Sequence, residues 1–307
     1  MTTDLAPIAL FAFRRPEHTR AVLDSLASNA ESKHSPLYIF CDGPRRDSDA
    51  ALIQEVRQIV RSEDRFGRTI IVERERNMGL ANSIIGGVTD IVDRHGRVIV
   101  VEDDLVFSRY FLRYMNDALA MYEHEPRVGQ IGACNFFACG SRYPQSFFAT
   151  IPDCWGWATW RDRWAQFEPD ATRLFRELQR AGKMHDFNVF NSYPMDRMLR
   201  DQIEGKVDSW AIRWQAACVL REWLTLYPNP SMSNHVESLQ STHMEGSILP
   251  PLVTDEYALT ATNVTLLPQI KQALRRGYAG ISRPDGTLDF SKRRALLKLV
   301  LRSFTAG

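Results

Sequence analysis

Apolar and polar residues alternate in blocks along the first hundred positions of the chain. Four short apolar runs are typical of buried strands: 7–13, 37–41, 69–72 and 98–101. The segments between them repeat apolar residues at helical spacing, as Val22, Leu23 and Leu26 do. This alternation of strand and helix predicts an α/β fold, with a mostly parallel central sheet and helices on both of its faces.

The fourth apolar run leads directly into three consecutive carboxylates, Glu102, Asp103 and Asp104. In α/β folds, ligands bind at the edge formed by the carboxyl ends of the strands. Three adjacent carboxylates repel one another, and Mg²⁺ or Mn²⁺ relieves that repulsion, often together with a substrate phosphate. The alternative is a solvated acidic turn ahead of the next helix, and the triplet alone does not decide between the two.

Polar residues also follow the other three predicted strands. They are Arg14 after the first strand, Asp42 after the second, and Arg76 with Asn77 after the third. Because parallel strands end at one edge, we expect these side chains to share a crevice for a polar, phosphate-bearing ligand. No Gly-x-Gly-x-x-Gly follows the first strand and no Walker A loop occurs, which disfavours dinucleotide-binding and P-loop proteins.

The second half of the chain is rich in aromatic residues. All seven tryptophans lie between residues 155 and 223, and tryptophan serves either as core or as a platform for sugar rings. Trp155 and Trp157 flank Gly156 in a predicted loop, so they are the candidates for ligand contact. Asp208 stands among aromatic residues, a setting that could raise its pKa and suit a general base. Asp208 could also cap the helix that follows it, and such a position is compatible with the role of a base because it fixes the side chain.

Composition narrows the class of protein. Lys and Arg number 38 against 37 Asp and Glu, which gives no basic footprint for nucleic acid. Five cysteines at irregular spacing form neither a disulfide framework nor a zinc motif, and a reducing compartment fits them best. With no signal peptide and no apolar run approaching ~20 residues, we expect a cytoplasmic protein. The basic, amphipathic segment 292–302 could contact the inner face of a membrane, or pack on the body as a helix.

Three motifs, in this order, resemble those of nucleotide-sugar glycosyltransferases of the GT-A fold. They are a strand running into Arg14-Arg15-Pro16, the Glu-Asp-Asp sequence within 101–105, and Gly156-Trp157 followed by Asp208-Ser209-Trp210. The chain is most similar to the N-acetylglucosaminyltransferase I-like branch, with a bacterial family 2-like character, over roughly residues 5–245. The resemblance implies a Rossmann-like, mostly parallel central sheet with an aromatic-rich, acceptor-side half. The membrane anchor of the eukaryotic enzyme is not apparent, so the resemblance implies the reaction type and not the acceptor.

The resemblance also implies roles for individual residues. The nucleotide and donor sugar would be held by Asp42 on the base, by Arg14, Arg76 and Asn77 on the nucleotide or its phosphates, and by Glu102 and Asp103 on the sugar and ribose. Asp104 would bind Mn²⁺ or Mg²⁺, and His243 would contact the metal or the diphosphate. By position alone, either His235 or His243 could fill that second role, and loop histidines are otherwise solvated. Asp208 would be the catalytic base, and Trp155 and Trp157 would contact the acceptor.

We therefore expect an inverting, metal-dependent hexosyltransferase that uses a UDP-sugar, in the synthesis of bacterial surface polysaccharide. Its acceptor would be a carbohydrate or a lipid-linked glycan. Residues 1–106 would form the donor half and 107–250 the acceptor half of one domain, with 251–307 as a helical extension. A sugar-phosphate nucleotidyltransferase would need a glycine-rich loop where the chain has residues 11–16. A non-catalytic carbohydrate-binding protein would explain the tryptophans but not the carboxylates.

Overall fold

The structure, a computed structural model, describes residues 5–236, 252–253 and 256–279. Its strands are β1 Ile8–Ala12, β2 Pro36–Cys41, β3 Arg68–Glu73, β4 Arg97–Glu102, β5 Leu105–Phe107, β6 Val128–Gly132, β7 Ser146–Ala149, β8 Trp157–Trp160, β9 Leu224–Pro228 and β10 Ser233–His235. Its helices are α1 Pro16–Ala27, α2 Ala50–Arg61, α3 Leu80–His95, α4 Phe111–Tyr122, α5 Arg161–Trp164, α6 Ala171–Arg180, α7 Met184–Phe187, α8 Met195–Ile203, α9 Trp210–Leu220 and α10 Pro268–Ala279.

One eight-stranded sheet, in the order β3-β2-β1-β4-β8-β6-β9-β7, forms the centre of the described chain. The four strands predicted from the apolar runs form its parallel half, β3-β2-β1-β4. Strand β8 then enters antiparallel to both β4 and β6, while β6 and β9 are again parallel. The predicted α/β class, with a mostly parallel sheet between helices, is confirmed.

Alternate residues of the buried strands face two separate helical layers. Ile8 and Leu10 of β1 join the core that includes α1 and α2, whereas Ala9 and Phe11 join the core that includes α3. Successive side chains of a strand point to opposite faces, so a strand covered on both sides must be apolar throughout. Helix α3 lies so close to β1 that a Cβ on Gly87 would come within 2.8 Å of the Phe11 ring.

A second, two-stranded sheet forms directly after the acidic triplet. Strand β5 follows β4 with only Asp103 and Asp104 between them, and it pairs antiparallel with β10. Leu105 pairs with His235 in this register. A segment far along the chain is thereby placed next to the acidic triplet.

The central sheet continues across the predicted boundary between the donor and acceptor halves. Strand β4 belongs to the first half, and it hydrogen-bonds to β8 of the second. Helix α10 packs against β7. In the part of the chain that the structure describes, none of the helices has the length and apolar character to cross a membrane. The basic segment 292–302 lies outside the described residues.

Candidate functional site

The acidic triplet and the loop after β1 meet at the carboxyl edge of the sheet. The backbone N–H of Phe13 donates a 2.7 Å hydrogen bond to Oδ2 of Asp103. Nη1 of Arg15 donates to Oδ1 of Asp103 at 3.2 Å and to Oδ2 of Asp104 at 2.9 Å. Arg15 was not predicted as a site residue, although the Arg14-Arg15 pair before a helix-starting proline was the signal that pointed to it.

Burial sets the electrostatics of the triplet. Burial first, and then the charges of Asp104 and Asp103, hold the pKa of Glu102 well above its usual range. Burial raises the pKa of Asp103 to about 7, against the opposing effect of Arg15. Buried Oε1 of Glu102 has no hydrogen-bond partner among the described residues. Because one guanidinium faces three carboxylates, the cluster has a deficit of positive charge.

Strand β10 places a histidine beside this cluster. Nδ1 of His235 lies 4.0 Å from Oδ2 of Asp104, and the backbone N–H of Val236 donates to the carbonyl of Asp104 at 2.9 Å. The His235 ring is buried and meets the Trp155 ring edge-on, with 4.8 Å between centroids. His235 therefore lies in a strand and not in a solvated loop. His243, the histidine chosen from the resemblance, lies outside the described residues.

These residues fit a hard divalent cation that shares its coordination with a ligand. The described residues hold no group of three or more His, Cys, Asp or Glu side chains arranged to bind a metal by themselves. Magnesium-type sites often use one or two carboxylates, with waters and substrate phosphates as the remaining ligands. Asp104 suits such a site because its side chain is 22% exposed, whereas that of Asp103 is 9% exposed. The unpartnered oxygen of Glu102 adds to the attraction for a cation.

Asp42, at the end of β2, holds the neighbouring loop through its carboxylate. Oδ1 accepts from the backbone N–H groups of Gly43 and Met78 at 3.0 and 2.9 Å, and Oδ2 accepts from Met78 and Gly79, both at 3.1 Å. A carboxylate has about four acceptor positions, so these three donors use most of them. The predicted contact with a nucleotide base has at most one acceptor position left on Asp42.

The loops after β2 and β3 are in close contact. A Cβ on Gly43 would come within 2.5 Å of the Arg76 backbone, so only glycine fits at this position without movement. The Asn77 side chain donates to the Gly43 carbonyl at 2.9 Å, and it accepts from the Gly79 N–H at 3.1 Å. Asn77 thus positions the loop that carries Arg76, whose side chain is exposed.

Arg14 points to a different partner from Arg15. Its Nη1 lies 2.9 Å from Oδ1 of Asp49, and its side chain is 42% exposed. The Arg14 backbone has a φ of 34°, which a non-glycine residue rarely adopts. The turn after β1 therefore directs two consecutive guanidinium groups to separate carboxylates, Arg14 to Asp49 and Arg15 to the acidic triplet.

The two tryptophans predicted to contact an acceptor occupy different environments. Trp157 begins β8, is fully buried, and stacks on Trp210 with 5.0 Å between ring centroids. Its prediction as a loop residue is wrong, because Gly156, at a φ of 89°, turns the chain straight into the sheet. A fully buried indole offers no face to a sugar. Trp155 is also mostly buried, but it lines an apolar cavity of about 50 Å³.

Asp208 lies just before the helix that forms one wall of this cavity. Its side chain is 45% exposed and accepts from Nη2 of Arg213 at 2.9 Å. The cap of α9 is Ser209, whose Oγ accepts from the N–H of Ile212 at 3.2 Å, so the alternative of Asp208 as the cap is wrong. The Asp208 carboxylate is therefore partly open to solvent, and its role as a base stays a prediction. Trp210, two residues later, shares the cavity wall with Trp155.

Asp153 is a buried carboxylate in the wall of the same cavity, and the sequence did not single it out. Its oxygens accept from the backbone N–H groups of Ala133, Cys134 and Trp155 at 2.7–3.0 Å. Burial raises the pKa of Asp153 to about 6, although these N–H groups act to lower it. Asp153 thereby fixes the backbone around Trp155.

No protein-family model and no curated protein matches this chain. Among solved structures, the chain is similar to the mannosyltransferase PcManGT from Pyrobaculum calidifontis in complex with GDP-Man and Mn²⁺. The identity is 12% and the TM-score 0.35, over 59% of this chain and half (50%) of that one. It is also similar to S. aureus TarS 1-349, at 15% identity and a TM-score of 0.31, over 46% of this chain and 38% of that one. The chain therefore spans half or less of each of these structures.

Proposed function

We propose that this chain is a metal-dependent glycosyltransferase that moves a sugar from a nucleoside diphosphate-sugar to an acceptor hydroxyl. The acidic triplet at the carboxyl end of β4 carries the proposal. It combines a partly exposed carboxylate, Asp104, with two buried carboxylates whose pKa values are raised. Such a cluster favours a divalent cation, and the coordination that the protein leaves open suits a diphosphate.

The nucleotide would bind along the carboxyl ends of β1 to β4. Arg76 is exposed on the loop after β3, and Asp42 and Asn77 hold that loop against the end of β2. Arg14 is partly exposed after β1, and Glu102 and Asp103 close the crevice at β4. We propose uridine as the base, in keeping with the resemblance of the motifs. Asp42 acts first on the loop and has at most one acceptor position for the base.

The reaction we propose is a single displacement with inversion at the anomeric carbon. Asp208 removes the proton of the acceptor hydroxyl, and its 45% exposed side chain is accessible to a substrate. The ion pair with Arg213 fixes the orientation of this carboxylate. Asp104 holds the cation, and His235 lies beside Asp104. When bound, the cation would neutralise charge on the departing diphosphate. Trp155 lines the acceptor side, whereas the fully buried Trp157 is not part of the proposed site.

The acceptor we propose is a carbohydrate or a lipid-linked glycan in bacterial surface polysaccharide synthesis. The motif resemblance supports the reaction type, and the acceptor is an extension of it. A panel of glycan acceptors incubated with UDP-sugars, with product detected by mass spectrometry, tests this part. Transfer to a glycan is the expected result.

The donor site is tested by titration calorimetry of UDP and GDP with and without Mn²⁺. We expect UDP to bind the wild type in the presence of Mn²⁺. Binding should be at least tenfold weaker when Mn²⁺ is left out, and also when the protein is Asp104→Ala. The control is Asp93→Ala, which removes an exposed carboxylate outside the crevice. Absence of nucleotide binding under every condition would contradict the proposal and favour the non-catalytic carbohydrate-binding alternative.

A further inference from the structure

Arg15 binds an oxygen of the carboxylate that we propose holds the metal ion. Its Nη1 donates to Oδ2 of Asp104 at 2.9 Å and to Oδ1 of Asp103 at 3.2 Å. A divalent cation binds carboxylate oxygens at about 2.0–2.6 Å. Even on the other lone pair of Oδ2, the cation would lie only about 4 Å from Nη1, and two positive charges at that distance repel.

The Arg15 guanidinium is partly open to the crevice. The Arg15 side chain is 34% exposed, whereas that of Asp103 is 9% exposed. Among the described residues, its side-chain hydrogen bonds are those to Asp103 and Asp104. The backbone of Arg15 is held at the start of α1, where its carbonyl accepts from the N–H and the Oγ1 of Thr19. The backbone is therefore anchored while the guanidinium faces the crevice.

A second anionic partner for Arg15 would arrive with a nucleotide. In the proposed function a diphosphate binds within reach of Asp104, and guanidinium groups pair well with phosphate oxygens. The diphosphate would draw Arg15 away from Oδ2 of Asp104, and that oxygen would then be open to the metal. The anion and the cation would each remove an obstacle to the other.

We infer that Arg15 couples the binding of the metal ion to that of the diphosphate, and this inference rests on the proposed function. Without nucleotide, Arg15 pairs with Asp103 and Asp104 and weakens the binding of a metal alone. With nucleotide, Arg15 pairs with the diphosphate and strengthens the binding of both. Such coupling is reciprocal: the factor by which Mn²⁺ strengthens nucleotide binding equals the factor by which nucleotide strengthens Mn²⁺ binding.

The experiment is a thermodynamic cycle measured by titration calorimetry. Mn²⁺ is titrated into the protein with and without saturating UDP, or GDP if that nucleotide binds better, and the nucleotide is titrated with and without Mn²⁺. The variants are Arg15→Gln and Arg15→Lys. The matched control is Arg20→Gln, because Arg20 is exposed on the same helix. Thermal unfolding of each variant confirms that it is folded.

We expect Arg15→Gln to bind Mn²⁺ alone about tenfold more tightly than the wild type, because a neighbouring positive charge has been removed. We also expect it to bind nucleotide about tenfold more weakly at saturating Mn²⁺, because a phosphate contact is lost. With nucleotide binding in the absence of Mn²⁺ unchanged, the coupling factor then falls by about tenfold. Arg15→Lys, which keeps the charge, retains part of the coupling, and Arg20→Gln retains all of it.

The outcomes separate this inference from the proposed function. A wild-type chain that binds neither nucleotide in the presence of Mn²⁺ overturns the proposed function, and the inference with it. A wild type that binds nucleotide with Mn²⁺, while Arg15→Gln behaves like Arg20→Gln, overturns the inference alone. If Arg15→Gln does not fold, Arg15→Lys decides, and a coupling factor equal to that of the wild type overturns the inference.

Discussion

Removal of the Asp42 carboxylate should break the hydrogen bonds that hold the loop after β3 against the end of β2. The carboxylate is 7% exposed and accepts from three backbone N–H groups, those of Gly43, Met78 and Gly79. We predict that Asp42→Ala lowers the free energy of unfolding substantially, because the N–H groups of Gly43 and Met78 lose this acceptor and that of Gly79 keeps only Asn77. Asp42→Asn should cost less, since its amide keeps one acceptor oxygen.

The size of the effect follows from the number of bonds and their solvent access. A hydrogen bond to a charged group contributes about 1.5–3 kcal/mol. The Met78 side chain is 46% exposed, so water can reach part of this loop and compensate for some of the loss. We therefore expect a loss of about 3 kcal/mol for Asp42→Ala and about 1–2 kcal/mol for Asp42→Asn.

Urea denaturation followed by circular dichroism measures these differences. Asp47→Ala is the matched control, because Asp47 is exposed in the same connection between β2 and α2; it should stay within about 0.5 kcal/mol of the wild type. A value for Asp42→Ala inside that same range would refute the reasoning. If Asp42 acts mainly on the nucleotide base, Asp42→Asn will keep its stability and lose UDP binding.

Three further predictions concern Asp153, Asp208 and Trp157. In the folded state the pKa of Asp153 is about 6, against an ordinary value of 3.8. Between these two pH values the folded state binds more protons than the unfolded state. The free energy of unfolding therefore falls as pH rises through that window. The difference in unfolding free energy between wild type and Asp153→Asn should thus shift by about 3 kcal/mol between pH 3.5 and pH 7, and a constant difference would contradict the assignment. Asp208→Asn should lower kcat by about 10²–10⁴ with little change in KM, whereas near-normal turnover would remove Asp208 as the base. Trp157→Leu should cost about 2–4 kcal/mol in unfolding free energy and more than Trp223→Leu, because Trp223 is only partly buried; equal losses would argue against a core role for Trp157.

The parallel half of the fold could be predicted because its sequence pattern is local. Four apolar runs, each followed by helical spacing, gave β1 to β4 and the helices between them. The antiparallel strands were less accessible, since β8 is only four residues long and carries two tryptophans that read equally well as ligand platforms. What makes Trp157 a core residue is its pairing with Val100 of β4, a contact between distant parts of the chain.

The candidate site likewise contains some residues that the local sequence could predict and others that it could not. Glu102, Asp103 and Asp104 were recognisable from a buried strand running into charge. Arg15 could not be separated from Arg14, because the unusual φ of Arg14 determines which guanidinium turns toward the triplet. His235 depends on the pairing of β10 with β5, which joins segments more than a hundred residues apart.

The interior position of β4 in the sheet determines what a fragment of the protein would expose. Residues 99–102 pair with β1 on one side, and residues 97–100 pair with β8 on the other. A fragment that stopped after β5 would expose this flank as a long apolar edge strand, with a row of open N–H and C=O groups. Such an edge recruits strands from other molecules, so the fragment would self-associate. The strand that carries the acidic triplet therefore needs β8, from the second half of the chain, to cover its edge.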